Sequence, residues 1–428
     1  MKTYATMKPS GVAWLGDIPA DWQLKHTKYL FTPSKERVGE KAGDYKLLSL
    51  TLRGIIPRSE VEGGKNPEKY DTYQIVNNND LVMCLFDYDV TPRTVGRATQ
   101  AGMVTGAYTV LKAQKNVSTR YYNYLFLSLD ESKELLHLCT GLRNGISKST
   151  FFTLDLPNPD YETQERVADY LDKETAQIDK LIAKQQHLLK LLEEKRRGTI
   201  TTAVIRGIGP DVELHESGNI WIRYIPSGWS VSKLKHFTSL ITDGTHTTPT
   251  YVEEGVPFLS IKDVSSGKID FTNCKYISEE EHQVLTKHTR IEKGDILFTR
   301  IGTLGVNVII DTDEVFDIFV SLGLLKVIPG SINKNYLVYC MSSGYYFEYI
   351  QQVKAGGDTA AAKFNLGDVA NSPITVPPVD EQNEIVEYLN AELAEIDKLK
   401  DKICAQIDLL QERRVSLISH LVTGKVKV

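Results

Sequence analysis

Two stretches of the chain carry apolar residues at heptad spacing, and they lie about half a chain apart. In the second, Leu389, Ile396, Ile403, Leu410 and Leu417 fall seven residues apart, with Leu393, Leu399, Ile407 and Leu421 three or four residues from them. That is the seam of a helix packed lengthwise on another helix. The first stretch repeats the frame as Leu171, Ile178, Gln185, Leu192 and Thr199, with Leu181, Leu188 and Leu189 beside it. Pro157 and Pro159 precede the first stretch, Pro377 and Pro378 precede the second, and Gly207 and Gly424 follow their ends, as expected at helix boundaries. The pattern predicts two helices of about 40 residues, each about 60 Å long. Gln185 stands where the second helix has Ile403; either this polar residue fixes register at some cost in stability, or the helices splay there and Gln185 is solvated.

The segments ahead of these helices read differently. Short β-branched or aromatic runs bounded by turn residues, such as Lys46–Thr51, Asp80–Phe86, Val256–Ile261 and Asp295–Thr299, predict strands. Helices are interleaved around Tyr122 to Leu138 and Asn335 to Ile350. Each block is expected to be an α+β domain of about 150–170 residues.

The blocks are copies of one another. Ser10-Gly11-Val12-Ala13-Trp14-Leu15-Gly16-Asp17-Ile18-Pro19-Ala20-Asp21-Trp22 returns as Ser217-Gly218-Asn219-Ile220-Trp221-Ile222-Arg223-Tyr224-Ile225-Pro226-Ser227-Gly228-Trp229, an offset of 207, and the two copies hold all four tryptophans of the chain. Gln164-Glu165-Arg166-Val167-Ala168-Asp169-Tyr170-Leu171 returns as Gln382-Asn383-Glu384-Ile385-Val386-Glu387-Tyr388-Leu389, and Ile178-Asp179-Lys180-Leu181 as Ile396-Asp397-Lys398-Leu399, both at offset 218. The order is block, helix, block, helix.

With 428 residues, 41% of them hydrophobic and 25% charged, the chain has material for two or three domains with real cores. No run approaches the length of a membrane span, and the opening MKTYATMKPS lacks the apolar core of a signal peptide, so a cytoplasmic protein is expected. Cys84, Cys139, Cys274, Cys340 and Cys404 are odd in number and never spaced CxxC, which argues for reduced thiols and against a disulfide framework or a zinc knuckle.

Enzyme signatures are missing from the pattern. Gly63-Gly64-Lys65-Asn66 is not a phosphate loop, and no GxGxxG, HExxH or GxSxG occurs. Neither Pro377-Pro378-Val379 nor Asn158-Pro159-Asp160 forms the Asn/Asp-Pro-Pro-aromatic loop of an adenine methyltransferase. Asp130, Glu131 and Lys133 could be forced into a nuclease triplet but read as a charged surface helix. His246 has no second ligand at metal spacing, and no metal or catalytic site is expected.

Charge divides unevenly. Residues 1–155 are net +4 and residues 208–378 net −6, within −5 overall. Any contact with nucleic acid therefore rests on local clusters or on partners. The first block offers Arg53, Arg58, Arg93, Arg97, Arg143, Asn144, Ser147 and Lys148; the second offers Thr242, Asp243, Gly244, Thr245, His246, Thr248, Lys262, Arg300, Lys363 and Asn365. These side chains hydrogen-bond guanine, adenine and phosphate, and the interspersed glycines admit close backbone approach. Ordinary turn chemistry accounts for the same residue types.

The arrangement resembles the specificity subunit of type I restriction–modification systems. The resemblance is carried by the paired Ser-Gly…Trp…Ile-Pro…Trp openings, by Asp243-Gly244-Thr245-His246-Thr247-Thr248-Pro249, by the Pro-rich entries into the helices at Gln164-Glu165 and Val376-Pro377-Pro378-Val379-Asp380-Glu381-Gln382, and by the closing Leu421-Val422-Thr423-Gly424-Lys425. It implies an α+β fold of two duplicated target-recognition domains, 1–158 and 208–378, separated by conserved spacer helices, 159–207 and 379–428, paired as an antiparallel coiled coil. Each domain would read one half of a bipartite site in double-stranded DNA. The helices bearing Leu171, Ile178, Gln185, Leu192, Leu389, Ile396, Ile403 and Leu410 would set the spacing like a ruler and dock two methyltransferase subunits, which restriction subunits then join. The chain itself would be non-catalytic and bind no cofactor, with S-adenosylmethionine, ATP and Mg in the partners. Lys35-Glu36-Arg37-Val38-Gly39-Glu40 replaces the DGTHxTP stretch in the first domain, so the target is expected to be asymmetric. Arg143 to Ser149 aligns with Ala361 to Gly367, pairing Ser147 with Asn365. The competing readings are a stand-alone restriction or methylation enzyme and a coiled-coil adaptor without DNA specificity.

Overall fold

A computed structural model describes residues 3–61, 70–210, 212–264, 267–287, 290–357 and 362–428. Gly63 to Asn66 and Ala361 lie outside that set. The chain divides into two compact units, Met1–Gln185 with Cys404–Val428 and Gln186–Ile403. Each unit joins one globular head to a segment of both long helices, Tyr161–Arg206 (α1) and Val379–Val422 (α2).

The heads repeat one sheet plan. In the first, Phe31–Pro33 (β1), Leu81–Met83 (β2), Val95–Arg97 (β3) and Thr109–Ala113 (β4) form an antiparallel sheet of order β1-β4-β2-β3. In the second, Thr238–Asp243 (β5), Ile296–Thr299 (β6), Asn307–Ile309 (β7) and Leu322–Val327 (β8) form the antiparallel order β5-β8-β6-β7. Each head is closed by a strand pair that joins the Trp-bearing opening to the entry of the following helix. Gln23–His26 pairs with Asp155–Asn158, and Ser230–Lys233 pairs with Pro373–Val376. Outside the repeated sheet the heads differ. The first carries a hairpin, Leu48–Thr51 with Gly54–Pro57; the second carries a four-stranded sheet built on Val256–Leu259 and Lys275–Ile277.

The interleaved helices are shorter than the apolar runs suggest. Thr119–Glu131 ends before the 3-10 turn at Leu136–Leu138. The run from Asn335 splits into Lys334–Met341 and Gly344–Val353, with Ser342 closing the first and Ser343 capping the second by accepting from the Tyr346 amide.

The long helices pack through their predicted seam. Leu171, Ile178, Leu192, Leu389, Ile396 and Ile403 are buried, and Gln185 and Leu410 are partly buried. In the first unit Gln185 donates to Gln406 at 2.9 Å and Arg414 to Asp179 at 3.0 Å; in the second, Arg196 donates to Asp397 at 2.9 Å. Lys400 also pairs with Glu193 in the second unit, and the falling numbers opposite rising ones make the pairing antiparallel within each unit. Leu181 and Leu399, placed beside the seam by heptad counting, are 47% and 46% exposed. A straight helix of 3.6 residues per turn drifts off a strict heptad, which carries these flanking positions out of the contact.

The repeated openings are clamps on helix ends. In the first unit Trp22 is buried beneath the end of α2, a Cβ on Gly424 would overlap the Pro19 ring and stand 3.1 Å from the Trp22 ring, and Lys425 Nζ donates to the carbonyls of Leu15, at 2.8 Å, and Asp17, at 2.5 Å. In the second unit Gly207, at the end of α1, meets Trp229. A tyrosine hydroxyl reinforces each joint: Tyr121 donates to the Val422 carbonyl at 2.8 Å, and Tyr336 to the Val204 carbonyl at 3.5 Å.

Candidate nucleic-acid interface

The hydrogen-bonding residues singled out in the sequence fall into two loop clusters, one per head. In the first head, the segment after β2 runs beside the turn at 140–146. The amides of Asp87 and Tyr88 donate to the carbonyls of Arg143 and Asn144, and the Ile146 amide donates to the Leu85 carbonyl. Arg143 is exposed, pairs with Asp87 and lies over the Phe86 ring at 4.7 Å. Hydrogen bonding to that guanidinium holds the Asp87 carboxyl below its ordinary range. Asn144 donates to Asp89 at 2.7 Å. The sequence places Asp89 in the candidate run Tyr88 to Arg97 but does not show that Asp87 and Asp89 orient Arg143 and Asn144, a pairing across more than 50 residues.

Other first-head candidates sit apart from this cluster. Arg97 donates to Asn79 at 2.5 Å on the sheet edge, and Arg53, at the hairpin tip, donates to the Glu60 carbonyl at 3.0 Å. Arg58 is half-buried at the far end of the hairpin. Ser147 caps the short helix Lys148–Phe152 by accepting from the Thr150 amide, and Lys148 is exposed. Asn365 stands in the matching place before Leu366–Asn371 and donates to Asp368 at 3.3 Å.

Arg93 is placed differently. Its side chain is 13% exposed and pairs with Glu131 at 3.2 Å and Asp130 at 3.9 Å. Asp130 is buried, accepts from the Thr94 amide at 2.9 Å, and binds Lys133, which also donates to the Thr91 carbonyl. Of the triplet read as a surface helix, Glu131 is exposed and Lys133 partly buried, whereas Asp130 is buried and brackets residues 91–94. Its carboxylate is committed to pinning that loop.

In the second head, three candidates converge. Arg300 follows β6, is 3% exposed, and pairs through Nη1 with Asp243 at the end of β5. The Phe364 amide donates to the Arg300 carbonyl, the Arg300 amide donates to the Ser321 carbonyl, and Arg300 Nε donates to the Phe364 carbonyl. Burial pushes the Arg300 guanidinium below its ordinary value. The same Asp243 oxygen binds His246 Nε2 at 2.9 Å. Gly244 is required between them, since any Cβ there would run into the Ile318 carbonyl. The Gly244 and Thr245 amides donate to the carbonyls of Leu322, at the start of β8, and Ile318, so the turn is seated along residues 318–322. Thr242 is half-buried on β5, and Thr248 is exposed on the loop. Lys363 bridges Ile301 and Ala355 through its backbone. Lys262 stands elsewhere and donates to the Asn273 carbonyl at 2.9 Å.

Among the described residues no group of His, Cys, Asp or Glu is placed to hold a metal ion, and no helix is long and apolar enough to cross a membrane. The cysteines are unpaired, with Cys84, Cys274 and Cys340 buried and Cys404 exposed.

A family model described as the type I restriction modification DNA specificity domain matches residues 226–409, which include the second head's cluster and much of α2. The chain is similar to type I specificity subunits. It is 23% identical over 362 residues to the type I restriction enzyme MjaVIII specificity subunit of Methanocaldococcus jannaschii, covering 83% of this chain and 80% of that one. It is also 23% identical over 332 residues to the EcoKI specificity subunit of Escherichia coli, covering 74% and 68%. The fold is shared with a chain of a solved type I R-M system, with a TM-score of 0.68 at 14% identity over 96% of this chain and 99% of that one.

Proposed function

We propose that this chain is the DNA-recognition subunit of a type I restriction–modification complex, reading an asymmetric bipartite site with its two heads and docking two methyltransferase subunits along α1 and α2. The observation that carries the reading is the duplication itself: each unit repeats the sheet, the Trp clamp and the helix pairing, while the loop clusters differ. Repeated parts fit one kind of partner at two places. Divergent clusters, Arg143 and Asn144 on Asp87 and Asp89 against Arg300 and His246 on Asp243, fit two different half-sites.

In this reading the chain supplies geometry and sequence choice in the cytoplasm, and catalysis belongs to the partners, which bring S-adenosylmethionine to methylate adenine and ATP with Mg for restriction. The acidic second head leaves much of the phosphate neutralisation to those partners. The test is adenine-methylation mapping across the genome of a host expressing this chain with the methyltransferase of its system, against the methyltransferase alone. A gapped asymmetric motif seen only with this chain is expected. Its absence, with both proteins soluble and associated, overturns the reading in favour of an adaptor.

A further inference from the structure

Asp243, His246 and Arg300 form one assembly with a defined inside and outside. Arg300 is buried and Asp243 nearly so, whereas the His246 side chain is 66% exposed. An ionised carboxylate only accepts hydrogen bonds, so the imidazole nitrogen that binds it must carry the proton. That nitrogen is Nε2. In the neutral ring Nδ1 is then left an acceptor, and it has no partner among the described residues. The carboxylate cannot swing to release Nε2 without leaving Arg300, whose guanidinium is fixed by its own backbone pairing with Phe364. The amide bonds of Gly244 to Leu322 and of Thr245 to Ile318 fix the loop on the other side.

The first head lacks this assembly. Its Leu85 holds the place of Arg300, since the Ile146 amide donates to Leu85 as the Phe364 amide donates to Arg300, both at 2.8 Å. The charged group is therefore not a requirement of the shared sheet plan. A buried ion pair gives little net stability over an apolar side chain in the same place, so something other than stability accounts for it here.

We infer that His246 is a base-reading residue of the second head, presenting Nδ1 as an acceptor to a base with an exocyclic amino group in the major groove, adenine N6 or cytosine N4, and that Asp243 and Arg300 are its positioning residues. The inference rests on the proposed function and narrows it to one base position. An acceptor on the protein selects amino-bearing base edges and disfavours guanine O6 and thymine O4.

The experiment is methylation mapping with full-length chains co-expressed with their methyltransferase. Wild type should yield a gapped motif; if it yields none, the proposed function fails before any variant is read. With His246→Ala, the half-site and gap assigned to the first head stay as they were, and one adenine or cytosine position in the other half-site loses about tenfold in discrimination. Arg300→Leu, which installs the first head's residue, relaxes that same position, and the double variant relaxes it no further than either single one. A His246→Ala motif identical to wild type overturns the inference, as does a uniform fall in methylation with no degenerate position. Relaxation at additional positions in the double variant refutes the positioning role of Arg300.

Discussion

Arg414 donates from Nε to Asp179 Oδ1 at 3.0 Å, and the residues 218 places earlier and later, Arg196 and Asp397, make the same pair at 2.9 Å. One ion pair written twice in the sequence thus pins the antiparallel register in each unit. All four side chains reach solvent, with Asp179 56% and Asp397 53% exposed, so each pair contributes about 0.2–1 kcal/mol. Asp179→Asn and Asp397→Asn should lower the melting temperature slightly and by similar amounts at low salt. In about 1 M salt, where screening acts within about 3 Å, the difference from wild type should vanish. A loss that persists in salt would assign these residues a packing role instead.

The two helix-end glycines differ in what surrounds them. Both have φ near +74°, Gly424 at 73° and Gly207 at 74°, a backbone region where any side chain is strained. At Gly424 a Cβ also overlaps Pro19, whereas at Gly207 it meets Trp229 at an ordinary 3.5 Å. Gly207→Ala should cost about 1 kcal/mol from backbone strain. Gly424→Ala should add about 1–3 kcal/mol of overpacking to that. Urea unfolding followed by tryptophan fluorescence separates the two, and equal losses would count against the clamp.

The buried bracket of Asp130 predicts a structural phenotype. Asp130→Ala leaves Lys133 without its carboxylate and the Thr94 amide without its acceptor, a loss of about 3–5 kcal/mol if the pair behaves as other broken buried pairs do. Denaturant unfolding should show the loss. Unchanged stability would reopen the triplet to a chemical role.

At the Arg143 cluster the expectation concerns pH. The guanidinium holds the Asp87 carboxyl below its ordinary value, so the pairing contributes stability above the ordinary carboxylate range and loses it as pH falls through the lowered value. Arg143→Met should return the Asp87 midpoint to the ordinary range in a carbon-detected NMR titration. A midpoint that does not move would mean that Arg143 is not its partner in solution.

The large-scale plan was legible because repetition and periodicity are properties of the chain alone. The offsets of 207 and 218 located both heads, and the heptads located both helices, with Leu181 and Leu399 misplaced only because helical drift accumulates along a heptad. The candidate clusters were legible as composition but not as geometry. Nothing local says that Arg300 is buried by a carboxylate 57 residues earlier, or that Arg93 turns inward to Glu131 while Arg143 stays at the surface. Those outcomes depend on which strands pair, and a long-range pairing leaves no mark at either residue taken singly.

The substitution of Arg300 for Leu85 at one shared place in the sheet limits how freely the heads can trade parts. A loop that rests on leucine is portable, because any close-packed apolar floor will support it. The turn from Asp243 to Pro249 is not, since it arrives with a negative charge that must find a buried guanidinium waiting. Grafted alone onto the first head, it would meet Leu85 and strand its carboxylate. New target specificities built by exchanging loops should therefore travel in pairs, with residue 243 inherited together with residue 300.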